Sequence, residues 1–343
     1  MSCAYCISQE LMFENLTRNQ HFISQAEQRL NALNPTEKKE RQRIYEFLVS
    51  DREIPTLRLT QKHGRKIEST LSFDDLFSFD IAGQSNLRSN LETLFGAYEH
   101  DLIKHSEQLL LKLRTQTTAD LKSELLNLFA GKFLNFLRNP YGVKKILNTV
   151  GTVANYSPTD QSLHKIFSQV QSGSRPRQKE ICETFGLDDA AYQRWLTALF
   201  LLLANQPKPN LFESTLKGLF EANWVLVQVY EFTQADQQHY CLLSDRGYNT
   251  LFASNSGVVF EFNVTSRAFI RFCFFDPLSQ IPLGTRPELV AGLVAPMKGR
   301  ILVKRFENDL PELARYNQLT AYQCASRVYC ASVSPRLIAQ KRG

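Results

Sequence analysis

No stretch of this chain is apolar for long enough to cross a membrane. The longest apolar run, WLTALFLLLA at 195–204, is about half of the ~20 residues that a spanning helix needs, so it is expected as a buried helix. The beginning lacks a basic flank followed by an apolar segment, and no secretory signal is expected. The seven cysteines are odd in number and scattered, which suits a reducing cytoplasm with free or metal-bound thiols better than a disulfide framework. In that compartment the Asn-x-Thr triplets at Asn15 and Asn263 are chance matches to a glycosylation signal. A long block of one charge is missing too. Forty basic residues face 34 acidic ones, for a formal charge of +6, which favours an anionic partner such as nucleic acid only mildly. The densest basic stretches, EKKERQR at 37–43, KHGRK at 62–66, SRPRQK at 174–179 and the final QKRG, are short. There is no P-loop, no dinucleotide-binding glycine pattern, no Gly-x-Ser-x-Gly elbow, no kinase signature and no internal repeat. Nucleotide-driven and hydrolase-fold chemistries are thereby disfavoured.

What is present reads as a soluble α+β protein of 343 residues with 43% hydrophobic and 22% charged residues. Residues 1–80 are polar, with a short helix in SQAEQRLNAL and strands in RIYEFLV and TLRLT. From Leu87 the apolar positions Leu91, Leu94, Phe95, Tyr98 and Leu102 recur at helical spacing. Further helices are expected near 119–137, 142–153, 159–170, 176–184, 188–205 and 211–221, with Asp120, Asp160 and Asp188 or Asp189 as starters and Pro140 and Pro207 as breaks. Residues 81–222 are thus expected as a helical bundle. Residues 223–343 open with the β-rich runs WVLVQVYEF, HYCLLS, GVVFEFNV and RAFIRFCFF, separated by turn-forming SDRGYN and SNSG, as in an antiparallel sheet. Helices around 287–293 and 308–323 and a last strand near SRVYCAS follow. The fold expected is helix-rich α+β, with a small N-terminal knuckle, a central bundle and a C-terminal sheet, packed as one body.

Cys3 and Cys6, in the order C-x-x-C, can place two sulfurs on one tetrahedral zinc. Two more ligands are needed, and His21 is the nearest candidate, with His63, Cys324 and Cys330 behind it; otherwise both thiols are free in a frayed end. Glu92 and Glu99 stand two turns apart on one helix face, about 10 Å along its axis, too far to grip one ion together. Asp101 and His105 have a spacing that can hold a metal but more often marks a surface pair. Asp245 and Arg246 follow an apolar strand directly, where functional side chains are often held, although Ser-Asp-Arg-Gly is also good turn chemistry. Arg138 suits a helix C-terminus and Asn139 a break before Pro140. Phe260, Phe262, Phe269, Phe272, Phe274 and Phe275 could stack bases but alternate as core residues do.

CAYC followed by LTRNQHF resembles the opening of HNH-type nucleases of the ββα-metal class. The resemblance implies that His21 activates water beside a divalent ion such as magnesium, which holds phosphate oxygens, with Asn34 as the central asparagine. No third histidine or asparagine follows at the family's spacing, where EKKERQRIYEF stands instead. Over most of the chain, RNQHFISQAEQRLNA, NLETLFGAYEHDL, HYCLLSDRGYN and FEFNVTSRAFIRF are similar to a bacterial family of unknown function that opens with Asn-Gln-His and an aromatic. Ser24 replaces that family's usual proline. The resemblance implies a setting of antiviral defence.

Two expectations follow. One is a metal-dependent nuclease, with His21 as base, Glu99 and Asp245 as metal-holding or orienting groups, and a structural zinc on Cys3, Cys6 and His21. The other is a non-catalytic sensor or adaptor that binds a partner protein or phage component. Neither involves a membrane.

Overall fold

The computed structural model describes residues 13–81, 88–115, 120–204, 209–234, 239–254 and 256–337. Cys3, Cys6, Leu87 and Pro207 lie outside the described residues. The fold is α+β, and no described helix is long and apolar enough to cross a membrane. The chain forms two compact units, each drawing on non-contiguous stretches: residues 1–24, 71–101 and 133–214 in the first, residues 25–70, 102–132 and 215–343 in the second.

In the first unit the helix Asp189–Leu203 is the organising element. Asp188 caps its start by accepting the Ala191 amide at 2.7 Å, as Asp does at an N-cap. From Tyr192 to Leu203 all but Gln193 and Arg194 are buried, so the apolar run forms the expected buried helix. Trp195, fully buried, donates its indole N–H to the Leu137 carbonyl at 2.8 Å, and the Tyr192 hydroxyl donates to the Leu76 carbonyl at 2.8 Å. Phe77 packs edge-on to Phe95 and tilted against Trp195. Two small sheets join the helices. In one, Glu14–Asn15 and Ser78–Ile81 flank Arg88–Asn90; in the other, Asn19–His21 pairs with Ser72–Asp74. The helical pattern traced from Leu87 begins at Glu92, because Arg88–Asn90 is taken up as the middle strand.

The second unit holds two five-stranded sheets. One runs Leu243–Ser244, Arg327–Cys330, Arg43–Val49, Leu57–Leu59, with Arg65–Lys66 also paired to Arg43–Val49. The other runs Asn249–Ser254, Gly257–Thr265, Ala268–Phe275, Trp224–Glu231, Ile301–Glu307, antiparallel except for its last pair, which is parallel. Phe129 sits against one face of this sheet, within 6.3 Å of the rings of Phe260, Phe262, Phe272 and Phe274. On the opposite face Phe269 is stacked between Tyr230 at 4.6 Å and Tyr316 at 4.2 Å. These aromatics are core, as their alternation predicts. Asn263 is buried and exchanges amide hydrogen bonds with Asn31 at 2.8 and 3.0 Å.

Candidate functional site

His21 and Glu99 belong to the first unit and Asp245 to the second. His21 closes the strand Asn19–His21 opposite Ser72 and is only 7% exposed. Its neighbours fix the strand. Gln20 donates to Ser78 Oγ at 2.9 Å and accepts the Phe77 amide at 2.5 Å, while Phe22 lays its ring against Tyr141 and Phe185. The strand before it in sequence, Glu14–Asn15, pairs with Arg88–Asn90. Asn34 is in the second unit, where it brackets its own loop, donating to the Arg41 carbonyl at 3.1 Å and accepting the Arg43 amide at 2.8 Å. Among the described residues, no three His, Cys, Asp or Glu side chains gather to hold a metal ion.

Glu99 sits in a polar cluster on the helix Glu92–Glu99. Arg138, directly after the helix Lys122–Leu137, is 1% exposed, and its guanidinium pairs with Glu99, which is 28% exposed. Arg138 also donates to Asn135 Oδ1 at 2.6 and 3.2 Å and lies 5.1 Å from the Phe95 ring centre. Phe95 stands between Glu92 and Glu99 in sequence, so the cation meets the same face of the helix as both acids. Glu92 opens that helix, its amide bonded to Asn90 Oδ1 at 3.0 Å. Its Oε1 is buried without a hydrogen-bond partner. Burial pushes the Glu92 carboxyl up to about 7, with Glu99 adding to the shift and Arg138 opposing it. A half-buried carboxyl that exchanges a proton near neutrality can act as general acid or base.

The sequence places Arg138 at a helix end as a charge suited to the macrodipole. The structure instead sinks it beneath the Glu92–Glu99 helix as a counter-ion. The available signal was its position four residues after Leu134, which puts it on the apolar face of its own helix.

Asp245 follows the strand Leu243–Ser244, in a turn completed by Gly247 at φ +76°, a conformation that glycine adopts without strain. Its carboxylate accepts the amides of Ala325 at 2.6 Å, Ser326 at 2.7 Å and Arg327 at 2.8 Å. Ala325 and Ser326 belong to the connection after the helix Leu310–Gln323, and Arg327 opens the strand Arg327–Cys330 that follows. Burial pushes the Asp245 carboxyl above its usual range, while the three amides and Arg246 pull it down. Such a nest of amides stabilises a connection, and both carboxylate oxygens are committed to it.

Compared with protein-family models, with curated proteins and with solved structures, the chain finds no match.

Proposed function

We propose that the protein is a non-catalytic sensor or adaptor, acting in the antiviral setting that the resemblance suggests and working by binding a partner protein. The observation that carries this reading is the use made of Asp245, whose two oxygens are occupied by three main-chain amides of its own fold. Glu99 is ion-paired with the buried Arg138. Two of the three side chains on which a nuclease site was expected thus have structural work. The zinc expected on Cys3, Cys6 and His21 belongs to this reading as a structural ion.

A hydrolytic reading draws on one observation, the Glu92 carboxyl at about 7 beside Glu99 and Arg138. There Glu92 would exchange the proton, with Glu99 beside it, and a divalent ion such as magnesium would hold the phosphate.

Incubation of the purified protein with single- and double-stranded DNA and with RNA, in the presence of magnesium, manganese or zinc, separates the two. The adaptor reading expects no cleavage above that of a matched His21→Ala preparation. Metal-dependent cleavage that a folded His21→Ala or Glu92→Gln protein lacks would establish the hydrolytic reading.

A further inference from the structure

The five-stranded sheet of the second unit ends in Ile301–Glu307, a seven-residue strand whose described strand partner is Trp224–Glu231 alone. The phase of that parallel ladder is fixed at both ends. The Val225 amide donates to the Arg300 carbonyl at 2.9 Å, and the Asn308 amide donates to the Glu231 carbonyl at 2.8 Å. A strand turns the peptide groups of alternate residues to alternate sides. The even-numbered residues Leu302, Lys304 and Phe306 therefore bond toward Trp224–Glu231, and the amides and carbonyls of Ile301, Val303 and Arg305 point to the open edge.

An edge of this length invites pairing unless something blunts it. Leu302, on the strand, is 37% exposed. The helix Pro287–Val294, just before it in the chain, buries only Val294 and leaves Leu289 and Leu293 exposed. Close in sequence to these apolar groups are Arg286, Lys298, Arg300 and Lys304, none of which has an ion-pair partner among the described residues. Glu288 is the only acid between Gly284 and Lys304.

We propose that this edge takes up an acidic, extended segment of a partner protein as a sixth strand. The proposal rests on the adaptor reading and names the chemistry of its partner. Main-chain hydrogen bonds to Ile301, Val303 and Arg305 supply affinity, and the basic residues select for acidic sequence. A second copy of this chain fits worse. Antiparallel self-pairing would bring Arg300 and Lys304 of both copies onto one short ribbon, and like charges facing each other there are destabilising.

The test uses the full chain and two labelled nine-residue peptides, one alternating valine with glutamate or threonine and the other carrying lysine in place of glutamate. Fluorescence anisotropy is expected to show the acidic peptide binding at least about fivefold more tightly than the lysine one, with the preference shrinking as salt rises. Val303→Pro removes an outward amide and no ladder bond. It is expected to weaken the acidic peptide by a similar factor while the circular dichroism spectrum stays unchanged. Lys304→Glu should weaken it as well. Equal affinity of the unmodified protein for the two peptides would overturn the proposal. So would a concentration-dependent dimer in sedimentation that Val303→Pro dissolves, which would give the edge to a second copy. If neither peptide binds and no nucleic acid is cleaved, the edge assignment fails and the adaptor reading stands; cleavage removes the reading itself.

Discussion

Asp245 carries three main-chain amides on one carboxylate, so truncating it leaves three partly buried donors unmatched. Asp245→Ala is expected to cost about 3 kcal/mol or more of unfolding free energy, measured by urea denaturation; a loss below about 1 kcal/mol would contradict the structural role. Glu92 makes a pH-dependent prediction. Its folded-state pKa of about 7 lies above the ordinary 4.5, so the folded protein binds a proton that the unfolded chain has released. The contribution is fully present below the unfolded value and is lost as pH rises through 7. Glu92→Gln keeps the shape and removes the charge. Denaturation at pH 5 and pH 8 should show the variant gaining on the wild type at pH 8, by at most roughly 3 kcal/mol. An unchanged difference between the two pH values would mean that the carboxyl is not perturbed.

The helix Gln25–Arg29 is only five residues long and cannot persist through its own hydrogen bonds. Its anchor is Glu27, fully buried and 2.7 Å from the equally buried Lys132. Burial lowers the Lys132 pKa, and Glu27 works against that. Lys132→Met should cost about 3–5 kcal/mol by stranding the carboxylate, whereas the Glu27→Leu/Lys132→Met pair should recover most of the loss. Calorimetry of the three proteins checks this, and a double variant as unstable as the single one would contradict it.

Elements of this kind show what the sequence makes legible. The helices Lys122–Leu137, Gln161–Ser172, Gln178–Phe185, Asp189–Leu203 and Leu211–Ala222 fall where apolar spacing and capping residues predict, because each buries one stripe. Ile301–Glu307 escapes that reading, since Ile-Leu-Val is a continuous apolar run without period-two alternation. Arg88–Asn90 escapes it as well: three polar residues become a strand only because Glu14–Asn15 and Ser78–Ile81 flank them.

Across the whole molecule, arginine use explains why a charge of +6 carries so little information about partners. Arg114 and Arg305 close on the buried Glu231, and Arg271 and Arg315 on the buried Glu261. The basic stretches visible in sequence are partly spent as well: Arg43 donates to the carbonyls of His63 and Gly64, Arg65 pairs with Glu46, and Arg177 pairs with Asp74 and Glu180. Charge counted along the chain therefore overstates the charge offered to a ligand. The candidate site is similarly half legible. Glu92, Glu99 and Asp245 stand out by residue type and place, but the buried partners that define their roles, Arg138 and the amides of Ala325, Ser326 and Arg327, come from distant parts of the chain and leave no local pattern. The most direct test of the account measures cleavage of DNA and RNA with added divalent ions alongside unfolding free energy, for the wild type, His21→Ala, Glu99→Gln and Asp245→Ala. The account predicts that Glu99→Gln and Asp245→Ala lower stability and that no protein in the set cleaves. Metal-dependent cleavage by the wild type, abolished in Glu99→Gln or Asp245→Ala at undiminished stability, would contradict it.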